Sequence, residues 1–264
     1  MSAVGGDRVT LPRVVAGEWI KLRSVRSNVV TLGAAAVVLV FFGAVFSLTA
    51  DGEGVPRNPS GTLSDPVAIS LGGADLAQLI VGVLGVLVAA GEYATGLIRT
   101  TFAAVGSRRT VLVGKVAAVG AAVAAVMAVA TTVALVVGQA LYAGDDPSVS
   151  LGDPNAARVI FGATAYLAGV AVIGVALGFV VRATAGAIGT LVGSLFILPN
   201  LLGLLPDGFA DAVLPYFPSR AGASMMALAP GSDLLAVWPA FGVFTGWVVA
   251  ALLAAMWLVS RRDA

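Results

Sequence analysis

Residues Gly91 to Thr110 read GEYATGLIRTTFAAVGSRRT. On either side the chain is almost wholly Val, Ala, Leu and Gly, through Val67–Ala90 before it and Val111–Leu141 after it. At about 1.5 Å per helical residue, about 20 residues cross a hydrocarbon core of about 30 Å, so both runs are long enough to span a bilayer. The stretch between them carries Glu92, Arg99, Arg108 and Arg109 and reads as a charged connection between two membrane helices.

Working outward, the same pattern repeats. The 264 residues are 59% hydrophobic and 11% charged, with a mean hydropathy of +1.00, whereas soluble domains carry about 25% charged residues. Six apolar segments stand out: Val29–Leu48, Val67–Ala90, Val111–Leu141, Ala157–Val181, Ala185–Leu205 and Leu235–Val259. The expected fold is an all-α integral membrane protein, a single transmembrane domain over 1–264 with six transmembrane helices. The third segment is long enough to tilt or to project beyond the bilayer.

Basic residues set the expected orientation. Arg8, Arg13, Lys21, Arg23, Arg26, Arg99, Arg108, Arg109, Lys115, Arg182, Arg261 and Arg262 fall on one side of a six-span arrangement, twelve of the fifteen Lys and Arg. The opposite loops hold Arg57, Arg158 and Arg220 with Asp51, Glu53, Asp65, Asp145, Asp146, Asp153, Asp207, Asp211 and Asp233. The bias places both termini in the cytoplasm of a multi-pass cell-membrane protein. The first span follows a polar lead too long for a signal-peptide n-region and reads as a retained anchor.

Composition also excludes chemistry. There is no His and no Cys, which removes disulfides, Cys/His zinc sites, bis-His haem and Ser-His-Asp catalysis. A net charge of +1 gives no reason to expect a nucleic-acid partner. Small residues recur four apart at Gly120/Ala124/Ala128, Gly174/Gly178 and Gly189/Gly193, the spacing that lets helix backbones approach in lipid, within a bundle or at a dimer face.

The lead-in from Pro12 to Asn28, PRVVAGEWIKLRSVRSN, places Val15, Trp19, Leu22 and Val25 on one helical stripe, with Arg13, Glu18, Lys21 and Arg26 pointing elsewhere. It reads as an amphipathic helix over 12–28 lying on the membrane surface, with Trp19, Lys21, Arg23 and Arg26 as interface anchors, turning into the first span near Ser27–Asn28. Inside 91–110, Leu97, Ile98 and Phe102 form the apolar side of a short helix, Gly106 breaks it, and Ser107 is placed to cap the third span. Lys115 is expected to snorkel to the interface.

The segments EWIKLRS (Glu18–Ser24) and GEYATGLIRTT through SRRTVLVGK (Gly91–Lys115) resemble the permease subunits of actinobacterial ATP-binding-cassette exporters of the type-2 class. The resemblance implies two six-span permeases forming one pathway, as two copies or as a copy and a relative, with separate P-loop ATPase subunits docked beneath. It also implies that Glu92, Thr95, Gly96, Arg99 and Thr100 sit on or beside a coupling helix, with Arg108 and Arg109 at the root of the third span. Where many relatives carry Pro before the Ser-Arg pair, this chain has Val105–Gly106. ATP and Mg are expected in the partner alone, since Gly114–Lys115–Val116 lacks the first Gly and the hydroxyl of a P-loop.

Candidates for a pathway are the polar residues within spans. Asp75 and Gln78 stand near the start of the second, and Pro199–Asn200 interrupts the fifth. Residues 207–234 are too apolar for an ordinary loop and are broken by Pro215, Pro218 and Pro230, which fits two short helical pieces dipping into the outer leaflet. The resemblance implies an extracellular re-entrant hairpin there, where Tyr216, Phe217, Met225 and Met226 line an exit. The expected function is a non-enzymatic export permease subunit, the alternatives being a membrane anchor or sensor subunit and an ion-coupled carrier.

Overall fold

The computed structural model describes residues 10–50, 66–142, 152–205, 207–231 and 233–261. Arg8, Asp51, Glu53, Arg57, Asp65, Asp145, Asp146 and Arg262 of the charge pattern lie outside the described residues. The described chain is helical, without a strand. Six helices are long and apolar enough to cross a membrane: Arg26–Thr49, Ala74–Ala94, Arg108–Leu141, Asn155–Val181, Thr184–Leu202 and Val237–Arg261.

The lead-in forms α1 (Leu11–Ser24) and α2 (Arg26–Thr49) follows after one extended residue, Val25 (φ −86°, ψ 106°). The break thus falls earlier than the expected Ser27–Asn28. The buried stripe of α1 is Val14, Glu18 and Leu22, and Val25 is exposed. The stripe is rotated from the expected Val15–Trp19–Leu22–Val25 line because Glu18, assigned to solvent by polarity, finds a buried partner.

The second apolar segment is not one helix. It divides into α3 (Pro66–Ser70), a turn at Leu71–Gly73, and α4 (Ala74–Ala94). The turn rests on α2: a Cβ on Gly73 would meet the Leu39 backbone, and one on Gly72 would meet the Phe46 ring. A short helix α5 (Leu97–Val105) leads to α6 (Arg108–Leu141). The 34 residues of α6 reach about 50 Å, well beyond a hydrocarbon core. Then comes α7 (Pro154–Val181), with Asp153 accepting from the Asn155 N–H as its cap.

The centre of the bundle is the α4–α7 pair. Gly85 on α4 and Gly174 and Gly178 on α7 each face the other helix's backbone or a small side chain, and a Cβ on Gly82 would meet the Leu191 and Val170 side chains, leaving no room for one at any of the four. Where lipid is as apolar as leucine, such close approach supplies the dispersion contacts that hold helices together. Of the other small-residue seams, Gly120 meets Val172, whereas Gly189 and Gly193 meet nothing within 4 Å in this chain.

The fifth span is composite: α8 (Thr184–Val192), a π-helical turn over Gly193–Ile197, and α9 (Leu198–Leu202). Pro199 has no N–H to close the ladder, and beside it the Asn200 side-chain amide donates to the Phe196 carbonyl at 2.7 Å. Two short helices do follow, α10 (Asp207–Val213) and α11 (Pro218–Met226), joined by a 3₁₀ turn at Leu214–Tyr216. Every residue of α11 except Arg220 is buried, among α7 and the last helix, α12 (Val237–Arg261). Arg158 fixes its end by donating to the Ala227 and Leu228 carbonyls at 3.0 and 3.1 Å.

Candidate functional site

The connection that opened the sequence reading is framed by two glycines. Thr95 ends α4, its N–H and hydroxyl both donating to the Gly91 carbonyl. Gly96 (φ 74°) and Gly106 (φ 73°) then bracket α5 in the left-handed region, with open space where a Cβ would lie. Here glycine is required by backbone conformation, not by crowding. Ser107 caps α6, its Oγ accepting from the Thr110 N–H. Helix α5 inserts Ile98 into the bundle and leaves Leu97, Arg99 and Thr100 exposed.

Beneath α5 lies a buried ion-pair network. Lys115 Nζ donates to Glu18 Oε2 at 2.6 Å and to Glu92 Oε1 at 2.9 Å. Lys21 Nζ reaches the same two carboxylates, at 2.8 Å to Glu18 Oε1 and 3.1 Å to Glu92 Oε1, and lies 3.5 Å from the Thr101 hydroxyl. Two carboxylates and two ammonium groups thus alternate, with no net charge. The Lys115 side chain is 1% exposed and that of Glu18 5%. Lys115 does not snorkel outward as expected: it lies where α1 crosses α6, with Val14 packed against Gly114, and the carboxylates satisfy it internally.

Burial pushes the Glu18 carboxyl up, but Lys115 and Lys21 outweigh it and hold the group below its ordinary value. Burial likewise pushes Lys21 down, and Glu18 and Glu92 reverse the sign and raise it. Both groups are therefore held in their charged forms. The network joins the lead-in helix, the end of α4, α5 and the start of α6 into one rigid corner.

The residues expected to couple divide in two. Thr95, Gly96, Arg99, Thr100 and Arg109 are exposed and Arg108 is half-buried, while Glu92 turns inward to the network. Arg108 lies over the Phe102 ring, 5.8 Å from its centroid, and Arg109 donates to Ser260 at 3.3 Å, tying α6 to the end of α12. Of the interface anchors, Arg23 and Arg26 are exposed, Trp19 is half-buried against the core, and Lys21 belongs to the network. Arg182, which ends α7 with φ 59°, lies 5.2 Å from the centroid of the Tyr93 ring.

At the other end of the bundle, four of the pathway candidates come together. Asp75, Gln78, Pro199 and Asn200 line one small cavity with Leu195, Phe196, Ser219 and Arg220. The Tyr166 hydroxyl donates to Gln78 Oε1, and Gln78 Nε2 donates to Asp75 Oδ1 at 3.2 Å. Tyr216, Phe217, Met225 and Met226 are not in this lining: Met225 and Met226 are buried in the packing of α11, and the Tyr216 carbonyl accepts from Trp247 Nε1 at 2.8 Å.

Sequence reasoning missed Glu18, Lys115 and Tyr166 as site residues. Glu18 and Lys21 stand three apart in a short helix, and Glu92 and Lys115 are the charges nearest the apolar ends of two successive spans. That placement is a signal for pairing, though it does not say which charge meets which. Among the described residues there is no group of three potential metal ligands. A scan against protein-family models and a search of curated proteins found no match to this chain.

Proposed function

We propose that this chain is the permease subunit of an ATP-driven exporter of the type-2 ATP-binding-cassette class. It sits in the cell membrane with both termini in the cytoplasm, pairs with a second permease copy or homologue, and is driven by separate P-loop ATPase subunits. The observation that carries this reading is α5, a short helix with an exposed face of Leu97, Arg99 and Thr100, held at both ends by left-handed glycines and backed by the ion-pair network. A rigid element of this kind transmits a push from a soluble body to the spans. An exposed Arg also presents a fixed fork of donors to a partner's carboxylates or helix C-terminus. Nucleotide and Mg belong to the partner, and this chain carries out no covalent step.

The test is co-purification. The tagged protein is extracted in mild detergent from membranes of a cell that encodes it, alongside Arg99→Glu, which leaves the buried network untouched. Recovery of a P-loop ATPase with the wild type and its loss with Arg99→Glu is the expected result. Recovery with both would move the docking face off α5. Recovery with neither, under conditions that preserve a known assembly, would refute the reading and favour a membrane anchor. An ion-coupled carrier is the second reading, drawing on the buried Asp75–Gln78–Tyr166 chain.

A further inference from the structure

At the end of the bundle remote from α5, two polar spaces share one wall. The inner one is lined by Asp75, Gln78, Asn200 and Ser219 and leaves about 20 Å³ for water centres, enough for a single water molecule. The outer one, about 340 Å³, is lined by Asp211, Asp233, Leu214 and Pro215. Arg220 lines both.

The inner lining suits a hydrogen-bonding occupant. Asp75, Gln78 and Ser219 are each more than nine-tenths buried and lie in the first turns of α4 and α11, with Asn200 on α9. The lining also includes the π-helical turn through Leu195 and Phe196, a helix defect that allows local rearrangement. Among the described residues, the ion pair of Arg220 in the outer space is loose. Its Nη1 is 3.7 Å from Asp233 Oδ2, on a carboxylate whose side chain is 57% exposed, well beyond the 2.7–2.9 Å of a close charge-assisted hydrogen bond. A long, weakly held guanidinium between a wide acidic vestibule and a narrow buried polar site has the form of a swinging barrier.

We infer that the Asp75–Gln78–Ser219 cavity is a water-binding site and that Arg220 is the gate between it and the outer vestibule. When Arg220 leaves Asp233 and swings out into the vestibule, the two spaces join and the site exchanges its occupant with solvent. The inference does not rest on the transport reading, because access to the cavity needs no cargo, nucleotide or partner.

The chain has no cysteine, so a single introduced thiol reports on one position. Ser219→Cys in detergent is treated with a small, charged, water-soluble thiosulfonate, alone and combined with Arg220→Ala, Arg220→Gln, Arg220→Lys or Asp233→Asn. Ala212→Cys, at an exposed position on α10, is the control. Modification of Ser219→Cys is expected to be slow alone, at least tenfold faster with Arg220→Ala or Arg220→Gln, and near the parent rate with Arg220→Lys. Asp233→Asn, which keeps the arginine and removes its tether, is expected to raise the rate severalfold, while Ala212→Cys stays unchanged. Monodisperse elution on gel filtration and the unchanged control rate verify folding. A rate at Ser219→Cys that is the same in every background, fast or slow, overturns the gate.

Discussion

Lys115→Met should unfold the corner on which α5 rests. The substitution keeps the length and apolar stem of the side chain and removes one ammonium group. Lys115 makes two charge-assisted hydrogen bonds, to Glu18 Oε2 and Glu92 Oε1, from a side chain that is almost fully buried. Each such bond contributes about 1.5–3 kcal/mol. The network then changes from neutral to a net charge of −1, with two carboxylates sharing Lys21, whose side chain is 41% exposed. Breaking a buried pair in this way costs about 3–5 kcal/mol, a drop of roughly 10 °C or more in apparent melting temperature for a chain of this size. Adding Glu92→Gln restores neutrality, leaving Glu18 with Lys21, so the double variant should recover at least about 1.5 kcal/mol relative to the sum of the single losses. Thermal unfolding in detergent, read by tryptophan fluorescence with Trp19 on α1 as the local reporter, measures the whole cycle. If Lys115→Met melts within a degree or two of wild type, or if the two changes add, the network is not a coupled unit.

Other outcomes follow from the same contacts. The Glu18 carboxyl titrates below its ordinary value, so its contribution is complete above the carboxylate range and is lost as pH falls through the lowered value. Lys21 titrates above its ordinary value, so its contribution is complete below the amine range and is lost as pH rises through the raised value. Melting temperature should therefore be level between roughly pH 6 and 9, with the acid limb shallower in Glu18→Gln. Gly96→Ala and Gly106→Ala should each cost about 1 kcal/mol, since both positions have positive φ. Gly91→Ala, inside helical α4 with open space around it, should gain about 0.5–1 kcal/mol in the same melting assay. Gly174→Ala drives a methyl into the Gly82 backbone and should cost about 1–3 kcal/mol, whereas Gly189→Ala, helical and facing open space like Gly91, should cost nothing and gain about 0.5–1 kcal/mol.

Much of this architecture is local and therefore legible. A span is declared by about 20 consecutive apolar residues, whatever the rest of the chain does, and six such helices are present close to the segments read from the sequence. The punctuation between α5 and α6 is local too, because Gly106 and Ser107 act on their own backbone neighbours. The division of the second segment at Gly72–Gly73 was less visible, since a glycine pair in an apolar run looks like any other small-residue seam until α2 lies against it.

What only the tertiary structure decided are the meetings between distant residues. Polarity assigned Glu18 to solvent and Lys115 to the interface, each on the assumption that a charge seeks water. In the fold each is desolvated by the other, across 97 positions of sequence, because α1 lies over the root of α6. Asp75 and Asn200 belong to two different spans, and the packing of α4, the fifth span and α11 places them around one cavity beside Arg220. Hydropathy is a sum over neighbours in sequence and can count the helices. The partner of a buried charge is set by which helix faces which, and only the packing of the bundle settles that.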